Sequence, residues 1–333
     1  MLNENIELSN DFLLDAFRSI NLLKNWPAEP WHPLIQALSE GRAISWIGEG
    51  SSRLFPLGFA QSLARQWGYS GVVTGCGGRS LSRAMARTYQ ITASSNSGKT
   101  REIVEGLLDV KPSGALAVLG NSGGLIEGLV EASLCVLDKP ERAVPATVSV
   151  IGQSLVLLQA VAHYCGKKIP LLEIADAVSE TLEAPALSID TETSRIWWCG
   201  NDNGVADELM LKCCEALGIA SISCGQGLGI HGIHEVLEPT DLVVAIGVDS
   251  RDRETLRSIV SSTGSQFQSW GSNRHDDWKL PDLGVWAPFS ELSAGWRFID
   301  SIAQRLGRDP AYPKRLCKIG NEFSEAVPGD RKF

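Results

Sequence analysis

From Ala43 onward, short apolar runs alternate with segments of helical periodicity, and the alternation starts again in the second half of the chain. The runs at 43–47, 71–74, 89–94, 115–119 and 134–137 are short enough for strands and too short for ordinary helices. A strand–helix–strand alternation implies parallel pairing, because parallel neighbours need a crossover and the crossover is usually helical. The expected fold is therefore α/β, with mainly parallel sheets covered by helices on both faces.

The restart supports a duplication. Ile196-Trp197-Trp198-Cys199-Gly200 runs into a glycine as Ile44-Ser45-Trp46-Ile47-Gly48 does, and Leu217-Gly218-Ile219 follows as Trp67-Gly68-Tyr69 does. The offset is about 150 residues throughout, which suits two copies of a domain and not a solenoid. Runs at 241–248 and 266–270 continue as later strands. An amphipathic pattern over 11–26 ends at Pro27, and Pro30 and Pro33 mark a turn-rich connection. The expected organisation is an N-terminal helical segment (1–40), a first domain (41–185), a second domain (190–310) and a C-terminal tail (311–333).

Composition narrows the function classes. With 333 residues, 44% of them hydrophobic, the chain has enough apolar material for two cores. A net charge of −9 gives no general attraction for nucleic acid or anionic lipid, so an anionic ligand needs a local site. The longest apolar stretch, 148–165, is interrupted by Gln153, Ser154, Gln159 and His163 and does not read as a membrane span. The first residues lack the basic-then-apolar pattern of a signal peptide, and eight cysteines without a C-x-x-C pair suit a reducing, cytoplasmic setting.

The most polar small-residue loop is Ser95-Asn96-Ser97-Gly98-Lys99-Thr100, between an apolar run and a helical pattern beginning at Arg101. Such a loop can present hydroxyls and backbone N–H groups to an anion at the positive end of a helix. It could equally be an ordinary capped helix start, with Ser95 or Ser97 as the cap. A nucleotide P-loop would need a glycine where Ala93 stands, so no nucleotide cofactor is expected. Gly48-Glu49-Gly50-Ser51-Ser52 and Gly120-Asn121-Ser122-Gly123-Gly124 close two other runs of the same half. In an open parallel sheet, these loops gather at the carboxyl ends of the strands, where ligands bind.

These motifs resemble the double-SIS (sugar isomerase) family, which includes the isomerase half of glucosamine-6-phosphate synthase and stand-alone phosphosugar isomerases and deaminases. Gly50-Ser51-Ser52 matches the family's Gly-x-Ser/Thr-Ser, and 95–100 matches Ser-x-Ser-Gly-x-Thr, with Lys99 in place of a frequent acid. The resemblance implies phosphate and sugar contacts from Ser51, Ser52, Ser95, Asn96, Ser97 and Thr100. In the second half, Glu215 and His231 stand sixteen residues apart, like the family's proton-shuttle glutamate and the histidine of its His-Gly-Pro; Lys212 agrees as well. Gly307-Arg308-Asp309 followed by Pro313-Lys314-Arg315-Leu316-Cys317-Lys318 resembles the C-terminal motif whose lysine closes over the sugar. Leu228 and Ile233 depart from a frequent glutamate and a proline, and residues 319–333 extend past the lysine.

The resemblance implies two tandem SIS domains, each a mainly parallel five-stranded αβα sandwich. It also implies a sugar-phosphate ligand and a homodimer with a shared active site. Aldose–ketose isomerisation needs a base over the C1–C2 bond, a ring-opening group and an oxyanion stabiliser. Glu215, His231 and Lys318 suit these roles in turn, and Lys318 could instead form a Schiff base with a ketose carbonyl. His234, next to Glu235, is the rival to His231. His231 and His234 make an H-x-x-H without a third ligand at suitable spacing, so no metal is expected. The leading expectation is an isomerase of a hexose or amino-hexose 6-phosphate. The alternatives are a deaminase or deglycase, a phosphoglucose/phosphomannose isomerase, and a non-catalytic phosphosugar sensor. The first forty residues are too short for a helix-turn-helix module of the kind regulators carry.

Overall fold

The structure is a computed structural model and describes residues 10–189 and 193–316. The elements run α1 (Asp11–Lys24), α2 (His32–Ser39), β1 (Ile44–Gly48), α3 (Leu54–Gln66), β2 (Val73–Cys76), α4 (Arg83–Thr88) and β3 (Gln90–Ser95). They continue through α5 (Arg101–Val110), β4 (Leu116–Leu119), β5 (Ala132–Cys135), α6 (Val148–Tyr164) and α7 (Leu171–Glu183). The second set is β6 (Arg195–Gly200), α8 (Val205–Lys212), β7 (Ala220–Gly225), α9 (Gln226–Ile230), β8 (Asp241–Ile246), α10 (Ser250–Thr263), β9 (Gln266–Gly271), β10 (Trp278–Lys279) and α11 (Pro288–Arg305).

Two sheets result, each five-stranded and wholly parallel. Their orders are β2-β1-β3-β4-β5 and β7-β6-β8-β9-β10, the same topology twice. Central strands β1, β3, β4 and β8 are buried at every residue, as expected of strands covered on both faces. The duplicated α/β fold expected from the alternation is what the chain adopts. The polar-interrupted stretch at 148–165 is a buried helix, α6, and among the described residues no helix is long and apolar enough to cross a membrane.

Packing divides the described residues into two compact bodies. One holds the second sheet together with the chain up to Trp26, Arg142–Val148 and the segment from Pro170. In it α7 packs against α1 and α11. Asp15, buried in α1, accepts the Arg142 and Ala143 N–H groups at 2.7 and 2.9 Å. The other body holds the first sheet, Pro27–Glu141 and Ser149–Ile169. There the stretch read as turn-rich contains α2, with Pro33 in its first turn, where a missing N–H costs the helix nothing.

Candidate active site

In the first sheet β3 lies between β1 and β4, all parallel, so the loops at 48–52, 95–100 and 120–124 leave from adjacent carboxyl ends. Strand order reverses between β1 and β3, where ligands of such sheets bind. Gly48 pairs with Ser94 across that junction. The β3 and β4 loops are joined by hydrogen bonds from Gly120 N to Ser95 O (3.0 Å), Asn121 N to Asn96 O (2.9 Å) and Ile126 N to Gly98 O (3.0 Å). Gly98 has φ of 68°, which favours glycine, and its backbone leaves no room for a side chain on Gly124.

The hydroxyls of the loop are linked to one another and to its backbone. Ser95 Oγ accepts the Gly98 N–H at 3.0 Å and lies 2.7 Å from Thr100 Oγ1. Either hydroxyl can donate in that contact, and each oxygen keeps a lone pair or a proton for a further partner. Ser95 is fully buried and Thr100 half-buried. Ser97 Oγ accepts the Lys99 N–H at 3.2 Å. The Thr100 side chain, at the N-cap of α5, makes no capping hydrogen bond, so the positive end of the helix adds to the preference for an anion. Ser51 and Ser52 lie in the turn Gly50–Ser52, held by the Trp46 indole, which donates to Ser52 O at 2.8 Å. Glu49 Oε1 accepts the Gly78 N–H at 2.7 Å and ties this turn to the end of β2. Asn96, expected to face a ligand, turns its side chain inward to Glu141 and Asn121.

The second body carries an ion cluster at the end of α8. Lys212 Nζ, fully buried, lies 2.6 Å from Glu215 Oε2 and 3.3 Å from Glu208 Oε1. Burial alone would lower the Lys212 pKa, but the two carboxylates outweigh it and hold the ammonium above its ordinary value. Glu208 is fully buried, while Glu215 keeps an exposed edge. Glu215 stands on a π-helical turn, Cys213–Leu217, an interruption often found at functional positions. The turn closes on Gly218 in the left-handed conformation, and the Arg308 guanidinium of the C-terminal motif donates to Leu217 O. Burial pushes the Cys213 thiol well up, so it is an inert core group.

Lys212 and Glu215 are thus brought together. Glu208 completes the cluster from one turn before Lys212, and a Glu at i with a Lys at i+4 is its signal in the sequence. His231 is exposed after α9, its N–H donating to Gly227 O at 3.1 Å, and makes no hydrogen bond to the cluster among the described residues. His234 is also exposed and lies 3.5 Å from Glu235 Oε1. Lys318 and the 319–333 extension lie outside the described residues. Among the described residues, no three His, Cys, Asp or Glu side chains are grouped to hold a metal ion.

No family model and no curated protein matches this sequence. Solved structures do resemble it. A glucosamine-6-phosphate deaminase from Thermotoga maritima matches with a TM-score of 0.73 at 16% identity, over 92% of this chain and 97% of that one. The C-terminal domain of glucosamine-fructose-6-phosphate aminotransferase from Francisella tularensis matches at 0.73 and 13% identity, over 92% and 99% of the two chains. A tagatose-6-phosphate ketose/aldose isomerase from Escherichia coli matches at 0.66 and 17%, over 92% and 96%. At such identities the likeness speaks for the fold, and it spans nearly the whole of each chain. This chain therefore has the double-SIS fold that these structures share.

Proposed function

We propose that this protein is an aldose–ketose isomerase of a hexose or amino-hexose 6-phosphate. The observation that carries the reading is the buried Lys212 ammonium clamped between Glu208 and Glu215, which presents one carboxylate edge in a fixed orientation. A carboxylate so held suits proton transfer between C1 and C2 of an open-chain sugar, with no metal required. The Ser95–Thr100 loop binds the phosphate, through the Thr100 and Ser97 hydroxyls and the amides at the start of α5, with Ser51 and Ser52 close by along the sheet edge. Asn96 contributes its backbone and not its amide side chain. His231 opens the sugar ring, or His234 does so in its place, and Lys318 steadies the oxyanion of the enediol.

Exposure of His231 supports a further part of the proposal: the ring-opening histidine serves a neighbouring subunit, in a homodimer. A monomeric mass by light scattering at full activity would overturn that part. A second reading draws support from the likeness to a glucosamine-6-phosphate deaminase. The same carboxylate would then assist expulsion of ammonia from an amino-sugar phosphate. One assay separates the two. The protein is incubated with a panel of hexose and amino-hexose 6-phosphates, and ketose formation and ammonia release are followed together. Ketose without ammonia supports the isomerase, ammonia with ketose supports the deaminase, and neither product from any panel member contradicts both.

A further inference from the structure

Between β5 and α6 stands a carboxylate whose type no motif of the sequence marks. Glu141 is buried, only 5% exposed. Its Oε1 accepts the Ser149 N–H at 3.1 Å, and its Oε2 accepts the Ser149 hydroxyl at 2.8 Å. It therefore occupies the positive end of the seventeen-residue helix α6. The same Oε2 accepts Asn96 Nδ2 at 3.0 Å. Asn96 is in turn fixed from the other side. Its carbonyl oxygen and Oδ1 accept Asn121 Nδ2 at 3.1 and 3.3 Å, and a Cβ at position 120 would collide with Oδ1, so only glycine fits there. Both ends of the Asn96 amide are thus committed within the protein.

Two helix starts meet these loops, and they are treated differently. That of α6 is closed by the protein's own carboxylate, whereas the N-cap of α5, Thr100, makes no side-chain capping bond. A carboxylate beside an anion site would ordinarily repel the ligand. Here its charge is engaged by an amide, a hydroxyl and the Asn96 amide hydrogens.

We propose that Glu141 is a positioning residue for phosphate recognition: by holding the Asn96 side chain inward, it sets the conformation in which the 95–100 loop meets the phosphate. This rests on the reading of that loop as the phosphate site. Donors and acceptors at the junction dictate the test. In E141Q the amide nitrogen takes one of the two oxygen positions, facing the Ser149 N–H at one and the Asn96 amide donor at the other, so either orientation sets two donors against each other at the junction. In N96D two carboxylates face each other. In the double variant E141Q/N96D the amide introduced at position 141 donates to the carboxylate introduced at position 96, Asn121 still has its acceptor, and net charge equals that of the wild type.

The experiment titrates wild type, E141Q, N96D, E141Q/N96D and T100V with fructose 6-phosphate and with inorganic phosphate by calorimetry, after a thermal melt of each. Each single variant should weaken both probes by about tenfold or more, and the double should return to within about threefold of wild type. In the isomerase assay the loss should fall on KM and leave kcat within about twofold. Single variants that bind as wild type does, or a double no better than the worse single, would overturn the positioning role. Wild-type protein that binds neither probe, or T100V that binds both unchanged, would instead remove the phosphate reading beneath it.

Discussion

The two sheets share one topology, yet their carboxyl edges have been equipped for different work. With Gly48 and Gly200 aligned, the strand registers set Ser94 against Ile246, so Ser95, Asn96 and Ser97 correspond to Gly247, Val248 and Asp249. The hydroxyls are gone from the second loop. In their place Asp249 caps α10, its Oδ1 accepting the Arg251 and Asp252 N–H groups at 2.9 and 3.0 Å. The second sheet fills with its own carboxylate the helix start that the first leaves uncapped. The helix after the first strand shows the reverse. Glu208, Lys212 and Glu215 of the second half fall on Pro56, Ala60 and Leu63 of α3, all buried and apolar. Duplication supplied two equal frames, and side-chain chemistry made one a candidate anion cradle and the other a candidate proton-transfer site.

The last helix of each sheet extends the contrast. Glu141 and Glu291 stand beside the starts of α6 and α11, and both are buried. Glu141 has close partners, whereas Glu291 has Asn203 Nδ2 at 3.4 Å. Burial pushes the Glu291 carboxyl up to about 7, the Asp276 charge adds to the rise, and the Asn203 hydrogen bond only partly opposes it.

These differences can be broken one at a time. The largest expected effect is that of K212M, which removes the ammonium that lies between Glu208 and Glu215. It should cost about 3–5 kcal/mol in urea unfolding, and a loss below about 1 kcal/mol would mean the cluster does not hold the turn. Next is E291Q. Below the ordinary carboxylate range both folded and unfolded wild type are protonated at this position. As pH rises the unfolded chain ionises first, so this residue takes stability away until about pH 7, after which the loss is constant. E291Q should therefore be more stable than wild type by about 2–3 kcal/mol at pH 8, with most of the gain gone at pH 5. An equal gain at both values would rule out the titration.

The double variant S97A/T100V should weaken binding of phosphorylated sugars by roughly ten- to a hundredfold and leave free sugars unaffected, as calorimetry would record. Equal losses for both ligands would place the phosphate elsewhere. The smallest effect belongs to D249A, which removes a helix cap and should cost about 1 kcal/mol in thermal stability without altering turnover. A loss of turnover instead would tie the second loop to the chemistry.

Much of this architecture is legible in the linear sequence, because the strand runs and their glycine ends repeat in order. Polar cores hide better. β7, with exposed and half-buried residues over most of its length, carries no apolar run to announce it, and two-residue β10 is shorter than any pattern. Glu215 and Lys212 are singled out in the linear sequence by the resemblance to a family motif. Glu141 could not, since its donors include Asn96 and Ser149, and 45 residues of chain separate it from the first. Asn96 teaches the same lesson from the other side: a loop motif says which residues are polar, and only the fold says which way each turns.

The proposed reaction is tested most directly by hydrogen exchange at the sugar's C2. Wild type and E215Q would each be incubated in heavy water with the ketose 6-phosphate that the panel selects, and deuterium incorporation followed by NMR. Deuterium should enter at C2 of the aldose product with wild type, while E215Q should slow exchange at least about a hundredfold and still bind the phosphate. Exchange in E215Q at the wild-type rate would contradict Glu215 as the proton carrier and, with it, the mechanism proposed for this fold.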